Sequence, residues 1–366
     1  MKIGILSPLS GVYSGAHEYA IQLFQSLKNA GHECELLTVS NIGTVPITAY
    51  KVNVGKRKNN WQYLQKFDML HLTSVSENGK SNHSVLEKYS EFLKYVVTFH
   101  SCFEDIKRSC GWKEIAKNAK MLIFTSESNR KWFCKNYSEL FNTKNTIAIE
   151  MPFNPINYKK EHKKENIVCN VSRLITYKRI REFISCAEHI KDFRFIHLSR
   201  IFQRKNKYNA FLLGLIGKNY YEPIIKTIEK KGLTNAKMYD YINLEGIDKM
   251  AETKLRLLSK SKYLVDLSTL KEDNDRVQYT TLEAMDNHCV PIFSPKFFGK
   301  LLKENVNGIP AEETEEAVSA IIKCEKDEQL KKSIIKNNLE FIKEHYTNNV
   351  NINKYIELYN KIIKNG

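Results

Sequence analysis

Short apolar runs alternate with amphipathic segments along the chain, and this alternation restricts the possible folds more than any other feature. Lys2–Ser7 is an apolar run of strand length, and it precedes Ala16–Ala30, in which Leu23, Phe24 and Leu27 recur at helical spacing. Strands that alternate with helices form parallel sheets with helices on both faces. The pattern therefore predicts an α/β protein.

The alternation occurs in two blocks that are separated by a break. The break, Met151–Lys164, contains Pro152 and Pro155 and a run of charged residues, which is typical of a linker. Strand candidates in the first block are Lys2–Ser7, Cys34–Thr38, Met69–Leu72, Val96–Phe99, Met121–Phe124 and Ile147–Glu150. Strand candidates in the second block are Ile167–Val171, Phe193–Leu198, Lys237–Tyr239, Tyr263–Leu267 and Val290–Phe293.

Both blocks are expected to form doubly wound, Rossmann-like domains that face a central cleft. The predicted boundaries are residues 1–155 for the N-terminal domain and 165–345 for the C-terminal domain. Residues 346–366 are expected to form a C-terminal helix that packs back on the N-terminal domain. In sheets of this kind, ligands bind beyond the carboxyl ends of the strands.

The charge of the chain favours a polyanionic partner. There are 57 lysines and arginines against 41 aspartates and glutamates, which gives a net charge of +16. Such an excess promotes binding to polyanions such as nucleic acids. A coding bias that raises the lysine content of the whole surface is the alternative explanation.

The cysteines and the hydropathy pattern indicate the compartment. None of the eight cysteines forms a C-x-x-C pair, and several lie in apolar runs, as expected of buried thiols in a reducing environment. The first apolar run is too short for a signal peptide, and no stretch approaches about 18 consecutive apolar residues. The sequence therefore predicts a cytoplasmic protein with no stable membrane association.

Two cations follow the first strand candidate of the second block. Arg173 and Lys178 lie between the strand candidate Ile167–Val171 and the helix candidate Ile180–Ile190. A guanidinium binds two phosphate oxygens at once, and the N-terminus of a helix favours an anion. This placement fits a diphosphate site, and a solvated basic loop in a lysine-rich chain is the alternative.

Two acidic residues flank a helix start after a later strand candidate. Asp275 and Glu283 have seven residues between them, and Tyr279 and Thr280 stand where the predicted helix Thr280–Asp286 begins. A carboxylate accepts hydrogen bonds from both ribose hydroxyls, while exposed amides at a helix start face phosphate. The apolar neighbours of Glu283 indicate a partly buried face, and a buried carboxylate needs a specific partner. An ordinary helix glutamate is the alternative.

Two features of the first block also fall where α/β proteins form sites. His100 directly follows the strand candidate Val96–Phe99, where it is either a contact to a sugar hydroxyl or a structural histidine. Gly15 closes a G-x-x-x-G motif before a helix, and small residues there let a ligand approach the backbone, as does an ordinary turn. The dinucleotide fingerprint and the P-loop motif are both absent from the chain.

These residues resemble the motifs of the family-4 retaining glycosyltransferases. In that family an arginine and a lysine after the first strand of the C-terminal domain bind the nucleotide diphosphate, and Arg173 and Lys178 match them. A glutamate that follows another after seven residues binds the ribose, and Glu283 matches it. Asp275 departs from the family because it stands where the first glutamate belongs, and Arg276-Val277-Gln278 replaces the usual Gly-Phe-Gly.

The resemblance implies the GT-B fold, with an acceptor-binding N-terminal domain and a nucleotide-sugar-binding C-terminal domain. The implied catalytic residues are His100, Arg173, Lys178 and Asp275. The implied donor-binding residues are Gly15, Arg173, Lys178, Tyr279, Thr280 and Glu283.

Within that family, the chain resembles the DNA α-glucosyltransferases of T-even bacteriophages. The resemblance lies in Leu258–Glu283, in Arg108–Thr125, in Val96-Val97 with His100, and in the Gly15 loop. It implies transfer of glucose from UDP-glucose to 5-hydroxymethylcytosine in double-stranded phage DNA, with retention at the anomeric carbon. The excess of positive charge agrees with such an acceptor.

Two basic stretches are candidates for phosphate contacts with DNA. They are Lys56, Arg57 and Lys58, followed by Trp61, and Arg200, Arg204, Lys205 and Lys207, interleaved with Phe202 and Tyr208. Their phosphate contacts would make binding salt-dependent, and aromatics could support an extruded base. Plain solvated loops are the alternative for each stretch.

The sequence predicts no resident cofactor, since the sugar nucleotide is a co-substrate. Asp273-Asn274-Asp275 resembles an acidic triplet that holds a divalent metal in another class of glycosyltransferases. Because this triplet lies late in the chain and runs into the Glu283 helix, we interpret it as a coincidence and expect no metal requirement.

Two competing functions are compatible with the sequence. One is a glycosyltransferase that acts on a lipid-linked or cell-surface glycan through the same donor site. The other is a nucleic-acid-binding protein on a decayed enzyme scaffold, which the substitution at Asp275 permits and the retained Arg173, Lys178 and Glu283 argue against.

Overall fold

The computed structural model of the chain divides into two compact units. The N-terminal unit comprises Met1–Asn154 and Glu344–Gly366, and the C-terminal unit comprises Pro155–Lys343. The structure describes residues 1–7, 15–38, 50–51, 63–73, 90–100, 112–138, 145–154, 163–199, 221–240, 247–269, 277–295, 302–346 and 348–365.

The described strands of the N-terminal unit form a seven-stranded, fully parallel sheet. They are β1 Lys2–Ser7, β2 Glu33–Thr38, β3 Tyr50–Lys51, β4 Met69–Leu72, β5 Tyr95–Phe99, β6 Met121–Phe124 and β7 Thr146–Ala148. The order across the sheet is β3-β2-β1-β4-β5-β6-β7. The described helices of its N-terminal segment are α1 Gly15–Asn29, α2 Trp112–Asn118 and α3 Glu127–Asn136.

Aromatic side chains of the sheet pack against α3 in this unit. Phe99 of β5 stacks on Phe124 of β6 with ring centroids 5.3 Å apart, and both rings contact Phe133 of α3. Large buried aromatic side chains supply much of the hydrophobic stabilisation of a core. Gly31 lies just past the end of α1 with a φ of 84°, which glycine adopts without steric cost.

The described strands of the C-terminal unit form a six-stranded parallel sheet. They are β8 Glu165–Val171, β9 Arg194–Ser199, β10 Ala236–Asp240, β11 Ser261–Asp266, β12 Val290–Phe293 and β13 Ile309–Pro310. The order across the sheet is β10-β9-β8-β11-β12-β13. Numbered within the unit this order is 3-2-1-4-5-6, the doubly wound Rossmann arrangement, and its direction reverses between β8 and β11.

Helices of different lengths cover the second sheet and complete the chain. They are α4 Ile180–Ser185, α5 Tyr221–Lys230, α6 Ile247–Lys260, α7 Tyr279–Asp286, α8 Thr314–Lys326, α9 Glu328–His345 and α10 Asn348–Lys364. α10 belongs to the N-terminal unit, where the hydroxyl of Tyr355 lies 2.8 Å from that of Tyr19 on α1. No helix in the described ranges is long and apolar enough to cross a bilayer.

The predicted α/β class with two Rossmann-like domains is confirmed. Eight strand candidates match the observed bounds to the residue or within one residue at each end, among them Lys2–Ser7, Met69–Leu72 and Val290–Phe293. The predicted helix Ile180–Ile190 is too long, because α4 ends at Ser185 and a 3₁₀ turn, Cys186–Glu188, follows it.

Candidate active site

The carboxyl ends of β8 and β11 meet where the strand order of the C-terminal sheet reverses. β8 leads into the segment with Arg173 and Lys178, and β11 ends in Asp266. The two strands are parallel neighbours, so both segments leave the sheet at the same edge. Crevices at such reversal points are where open α/β sheets bind ligands.

Lys178 lies buried at this edge, with 5% of its surface exposed. It ends a 3₁₀ turn, Thr176–Lys178, and its ammonium lies 3.4 Å from Oδ2 of Asp266 and 3.3 Å from Oε1 of Gln278. A buried ammonium without an opposite charge would be costly, so Asp266 makes its burial tolerable. Asp266 is held in turn by the backbone N–H of Ser268, at 3.1 Å, and by the Ser268 hydroxyl.

Arg173 stands on the same segment but is exposed. Its guanidinium donates to the hydroxyl of Tyr177 at 3.2 Å. The ring of Tyr177 also lies 5.9 Å from the ammonium of Lys178. One segment therefore carries an exposed cation and a buried cation that share a tyrosine, an arrangement suited to an anion with several oxygens.

Several contacts fix the conformation of this cationic segment. The backbone N–H of Thr269 donates to the carbonyl of Tyr177 at 2.8 Å. Arg179 adopts a left-handed conformation with φ 50° and ψ 44°, and its guanidinium binds Glu313 and Glu182, which raises its pKa. A non-glycine residue in this region carries strain that the surroundings must stabilise. Ion pairs to two different glutamates supply that stabilisation here.

Glu283 lies inside α7 and is almost completely inaccessible. Only 1% of its side chain is exposed, and Oε1 accepts from the ammonium of Lys254 on α6 at 2.5 Å. The Lys254 side chain is also buried, at 4% exposure. α7 begins after Gln278, the residue that contacts Lys178. Gln278 therefore joins the cationic segment to the helix that carries Glu283.

Asn170 on β8 and His197 on β9 form a buried polar pair next to the site. His197 is fully buried, which lowers its pKa to about 3, although its hydrogen bond to Asn170 opposes the shift. Nδ1 of His197 lies 3.0 Å from Oδ1 of Asn170, while the Asn170 amide donates to the carbonyl of Val265 on β11 at 2.7 Å. These bonds link three neighbouring strands just below the site.

In the N-terminal unit, His100 lies at the end of β5 and Gly15 at the start of α1. The imidazole of His100 contacts the ring of Tyr19 edge-on, with centroids 4.3 Å apart. Gly15 is exposed, and a Cβ added there would meet no atom within 4 Å. Gly15 therefore leaves room for a ligand, but its own conformation does not require glycine.

A hydrogen-bonded chain of neutral groups runs beneath His100. Nδ1 of His71 lies 2.5 Å from the Tyr359 hydroxyl, and Nε2 lies 2.6 Å from the hydroxyl of Thr98. Thr98 reaches Tyr19 at 3.1 Å, and Tyr19 donates to Tyr355 at 2.8 Å. Burial, together with nearby His100, lowers the pKa of His71 to about 3, so it is neutral at physiological pH. One set of proton positions satisfies every bond: Tyr359 donates to Nδ1 of His71, Nε2 of His71 donates to Thr98, and Thr98 donates to Tyr19.

The family model for glycosyl transferases group 1 matches residues 155–341, which is more than half of the chain. The chain belongs to the group 1 glycosyl transferases. The match covers the C-terminal unit almost entirely, including Arg173, Lys178 and Glu283. A search of curated protein sequences finds no match.

Solved glycosyltransferases share the fold of this group 1 enzyme over its full length. An α-glucosyltransferase in complex with UDP has a TM-score of 0.74 and 16% identity, covering 98% of this chain and 100% of that chain. An α-glucosyltransferase with UDP and a 13-mer DNA containing an A:G mismatch has a TM-score of 0.73 and 16% identity, with coverages of 98% and 99%. Anabaena Alr3699/HepE with UDP and glucose has a TM-score of 0.72 and 15% identity, with coverages of 99% and 100%.

The structure of this group 1 enzyme brings some predicted site residues together. Arg173 and Lys178 share one segment, and Gln278 links that segment to the helix with Tyr279, Thr280 and Glu283. Several predicted residues lie outside the described part of the chain: Lys56, Arg57, Lys58, Arg204, Lys205, Lys207 and Asp275. The triplet Asp273-Asn274-Asp275 lies there too, and no cluster able to hold a metal occurs among the described residues.

The sequence analysis missed Gln278, which contacts Lys178, and two buried charged residues of this site. Asp266 interrupts the apolar strand candidate Tyr263–Leu267, and Lys254 occupies a core position beside Leu255 and Leu258 on an amphipathic helix. A charged residue in an apolar pattern is a detectable signal. The sequence does not reveal its partner, because Lys178 and Glu283 are 88 and 29 residues away.

Proposed function

We propose that this group 1 glycosyltransferase is a retaining family-4 enzyme that moves glucose from UDP-glucose to a 5-hydroxymethyl pyrimidine in double-stranded DNA. The observation that carries the proposal is the cationic segment at the strand reversal, joined through Gln278 to the helix with Glu283. A nucleoside diphosphate presents negative phosphate oxygens and, next to them along the molecule, ribose hydroxyls that can donate to a carboxylate. Positive charge on one element and a carboxylate on the next complement these groups.

In the proposed donor site, Arg173 and Lys178 bind the diphosphate. The contacts of Lys178 to Asp266 and Gln278, at 3.4 and 3.3 Å, are longer than the roughly 2.7–2.9 Å of a strong charge-assisted hydrogen bond. A phosphate oxygen can therefore compete for the ammonium. Stabilisation of the charge that develops on the leaving diphosphate is expected to be the largest single contribution to the rate.

The proposed reaction proceeds on one face of the sugar. The bond between the anomeric carbon and the UDP oxygen breaks, and a bond from that carbon to the hydroxymethyl oxygen forms on the same face. The proton of the acceptor hydroxyl passes to the departing phosphate, so no protein base is required. His100 and Gly15 are the proposed sugar contacts, and Asp275 is the proposed replacement for the family's first glutamate.

The acceptor is proposed from charge and from the relatives. An excess of 16 positive charges favours a polyanion, and an α-glucosyltransferase of the same fold was solved with UDP and DNA. Replacement of Lys56, Arg57 and Lys58 by glutamine should weaken DNA binding. It should also reduce the slope of log affinity against log salt by about 0.9 for each phosphate that the variant no longer neutralises.

Mass spectrometry of DNA after incubation with a panel of nucleotide-sugars tests the proposal. We expect a hexose mass added to hydroxymethylated DNA with UDP-glucose, none on ordinary DNA, and equal yield with a chelator because no metal is proposed. Transfer to a lipid-linked or cell-surface glycan instead would establish the competing acceptor. A chain that binds DNA but does not bind UDP in calorimetric titration would support the other competing function, a nucleic-acid-binding protein on an enzyme scaffold.

Arg173→Ala is the matched test of the donor site. We expect turnover to fall by about 10²-fold or more, as when a donor to a developing oxyanion is removed. Arg194→Ala is the control, because Arg194 is also exposed and pairs with Glu165 at the amino end of the sheet. Equal activity of the two variants would contradict the role of Arg173.

A further inference from the structure

The ion pair between Lys254 and Glu283 is buried more deeply than the other ion pairs of the described residues. The two side chains are 4% and 1% exposed, and the ammonium lies 2.5 Å from Oε1. α6 also carries Lys260, whose pair with Glu165 is partly exposed, at 32% and 37%. One helix thus presents two lysine–glutamate pairs in opposite environments, which makes them a natural comparison.

Burial makes this ion pair a poor source of stability. Both ions lose their hydration, and an apolar pair of similar volume is often equally stable or more stable. Lys254 occupies a position beside buried Leu255 and Leu258 where an apolar residue would complete the packing of α6. A lysine at this position therefore needs another explanation, and its partner on α7 supplies one.

We infer that Lys254 is a positioning residue that fixes the Glu283 carboxylate for the ribose hydroxyls of the nucleotide. This inference rests on the proposed function of the donor site. A free glutamate side chain has three rotatable bonds, and fixing them when the ligand binds costs conformational entropy. Lys254 imposes one orientation before the ligand arrives. The ammonium of Lys254 binds one of the two carboxylate oxygens, Oε1.

Gln278 connects the oriented Glu283 carboxylate to the cationic segment. Gln278 precedes α7 and contacts Lys178, while Glu283 lies one turn into the same helix. The proposed diphosphate-binding cation therefore contacts the residue that precedes the helix with the proposed ribose-binding carboxylate. Lys254 binds the carboxylate of that helix from α6, so its effect is expected on the ribose contact and not on the diphosphate contact.

Calorimetric titration with UDP and with 2′,3′-dideoxy-UDP tests the inference in Lys254→Met and in Glu283→Gln. The wild-type chain should prefer UDP because only UDP has ribose hydroxyls. We expect each variant to bind UDP about 10-fold or more weakly, as when a hydrogen bond to a charged group is removed. Affinity for dideoxy-UDP should change less than about 2-fold. The double variant should bind little more weakly than either single variant, because both substitutions remove one function.

Lys260→Met is the matched control, since it removes a lysine from the same helix and breaks a lysine–glutamate pair. It should keep the wild-type preference for UDP. Circular dichroism checks the folding of each variant, and Lys254→Gln replaces Lys254→Met if the latter does not fold. Lys254→Gln replaces the ammonium with a neutral amide N–H donor, so the charge is lost and a loss of UDP preference is expected there too.

The outcomes separate the inference from the proposed function. A wild-type chain that binds neither nucleotide contradicts the proposed donor site itself. A wild-type chain that prefers UDP, together with Lys254 variants that keep this preference, leaves the donor site intact and overturns the positioning role. In that case the pair is a structural feature of the α6–α7 packing.

Discussion

The two units share one sheet plan but bury different kinds of polar groups. In the N-terminal unit, a chain of neutral hydroxyls and the neutral imidazole of His71 joins α10 to the sheet through Tyr355 and Tyr359. The C-terminal unit also buries a neutral pair, His197 with Asn170, but it adds buried charged pairs, Lys178 with Asp266 and Lys254 with Glu283. A shared topology therefore does not determine the chemistry of the interior.

The difference between neutral and charged buried groups indicates which of them serve stability and which serve binding. Neutral groups in a continuous hydrogen-bonded chain lose little on burial, because each donor finds an acceptor. Buried charges cost several kcal/mol per ion before pairing offsets that cost. Charges at a strand reversal, where ligands bind in this fold, fit a binding role, whereas the tyrosine chain fits a fastening role for α10.

Breaking the charged pair should give the largest effect on stability. Lys254→Met leaves the Glu283 carboxylate buried without its ammonium, and we expect a loss of about 3–5 kcal/mol in the free energy of unfolding. The double variant Lys254→Met/Glu283→Leu removes both charges and should recover most of that loss. Urea unfolding followed by circular dichroism measures both. A double variant as unstable as the single one would contradict the comparison.

Removal of Lys178 should affect turnover more than the affinity for DNA. Lys178→Met is expected to lower the transfer rate by about 10²-fold, equivalent to roughly 2.7 kcal/mol, because the leaving diphosphate no longer meets this cation. Lys262→Met is the control, since Lys262 lies at the amino end of β11, opposite the end that carries Asp266, and pairs with Glu325. Equal transfer rates for the two variants would contradict the proposed role of Lys178 in binding the diphosphate.

Acid should destabilise both units through one buried histidine each. Burial lowers the pKa of His71 and of His197 to about 3, so the folded chain leaves both neutral while the unfolded chain protonates them. The free energy of unfolding therefore carries no penalty from these histidines above about pH 6.5. Below that pH it falls by about 1.4 kcal/mol per pH unit for each histidine. Unfolding at pH 6.5 and 5.0 measures the slope.

Tryptophan fluorescence shows which unit is responsible for the pH dependence of unfolding. All three, Trp61, Trp112 and Trp132, lie in the N-terminal unit, so their fluorescence follows its unfolding. His71→Gln should flatten the pH dependence seen by fluorescence, and His197→Asn should flatten the remainder seen by circular dichroism. If neither variant changes its slope, the two histidines are not the neutral groups that the comparison requires.

The smallest effect is expected from the hydroxyl chain. Tyr355→Phe removes one member of a neutral network and should cost about 1 kcal/mol in the free energy of unfolding. It should leave UDP affinity unchanged, because the C-terminal unit carries the proposed donor site. Tryptophan-detected unfolding and nucleotide titration on the same sample check both. A large loss of UDP affinity would show that the two interiors are not separate in function.

Local pattern predicted much of the fold. Apolar runs between turns specify parallel strands such as Met121–Phe124 and Val290–Phe293, and helical spacing specifies α1 and α7. The sequence missed β3 and β13, since two-residue edge strands carry no periodicity. It also missed α2, which has only seven residues and a weak apolar face.

The site was predictable only as far as single residues carry a signal. Arg173 and Lys178 stand out by their positions after a strand and Glu283 by its position at a helix start, and the need of a buried Glu283 for a partner followed from its apolar neighbours. That this partner is Lys254, and that Asp266 holds Lys178, depends on contacts between distant segments. Such contacts are a consequence of tertiary packing, which a single sequence without an alignment does not encode in any local pattern.

Hydrogen exchange with and without UDP tests the central claim most directly, namely that the strand reversal of the C-terminal unit is the nucleotide site. We predict that UDP slows amide exchange in the segments 172–180 and 277–284, which carry Arg173, Lys178 and Glu283, and that Asn348–Lys364 exchanges at an unchanged rate. UDP-dependent protection confined to the N-terminal unit, with unaltered exchange in both of those segments, would contradict the claim.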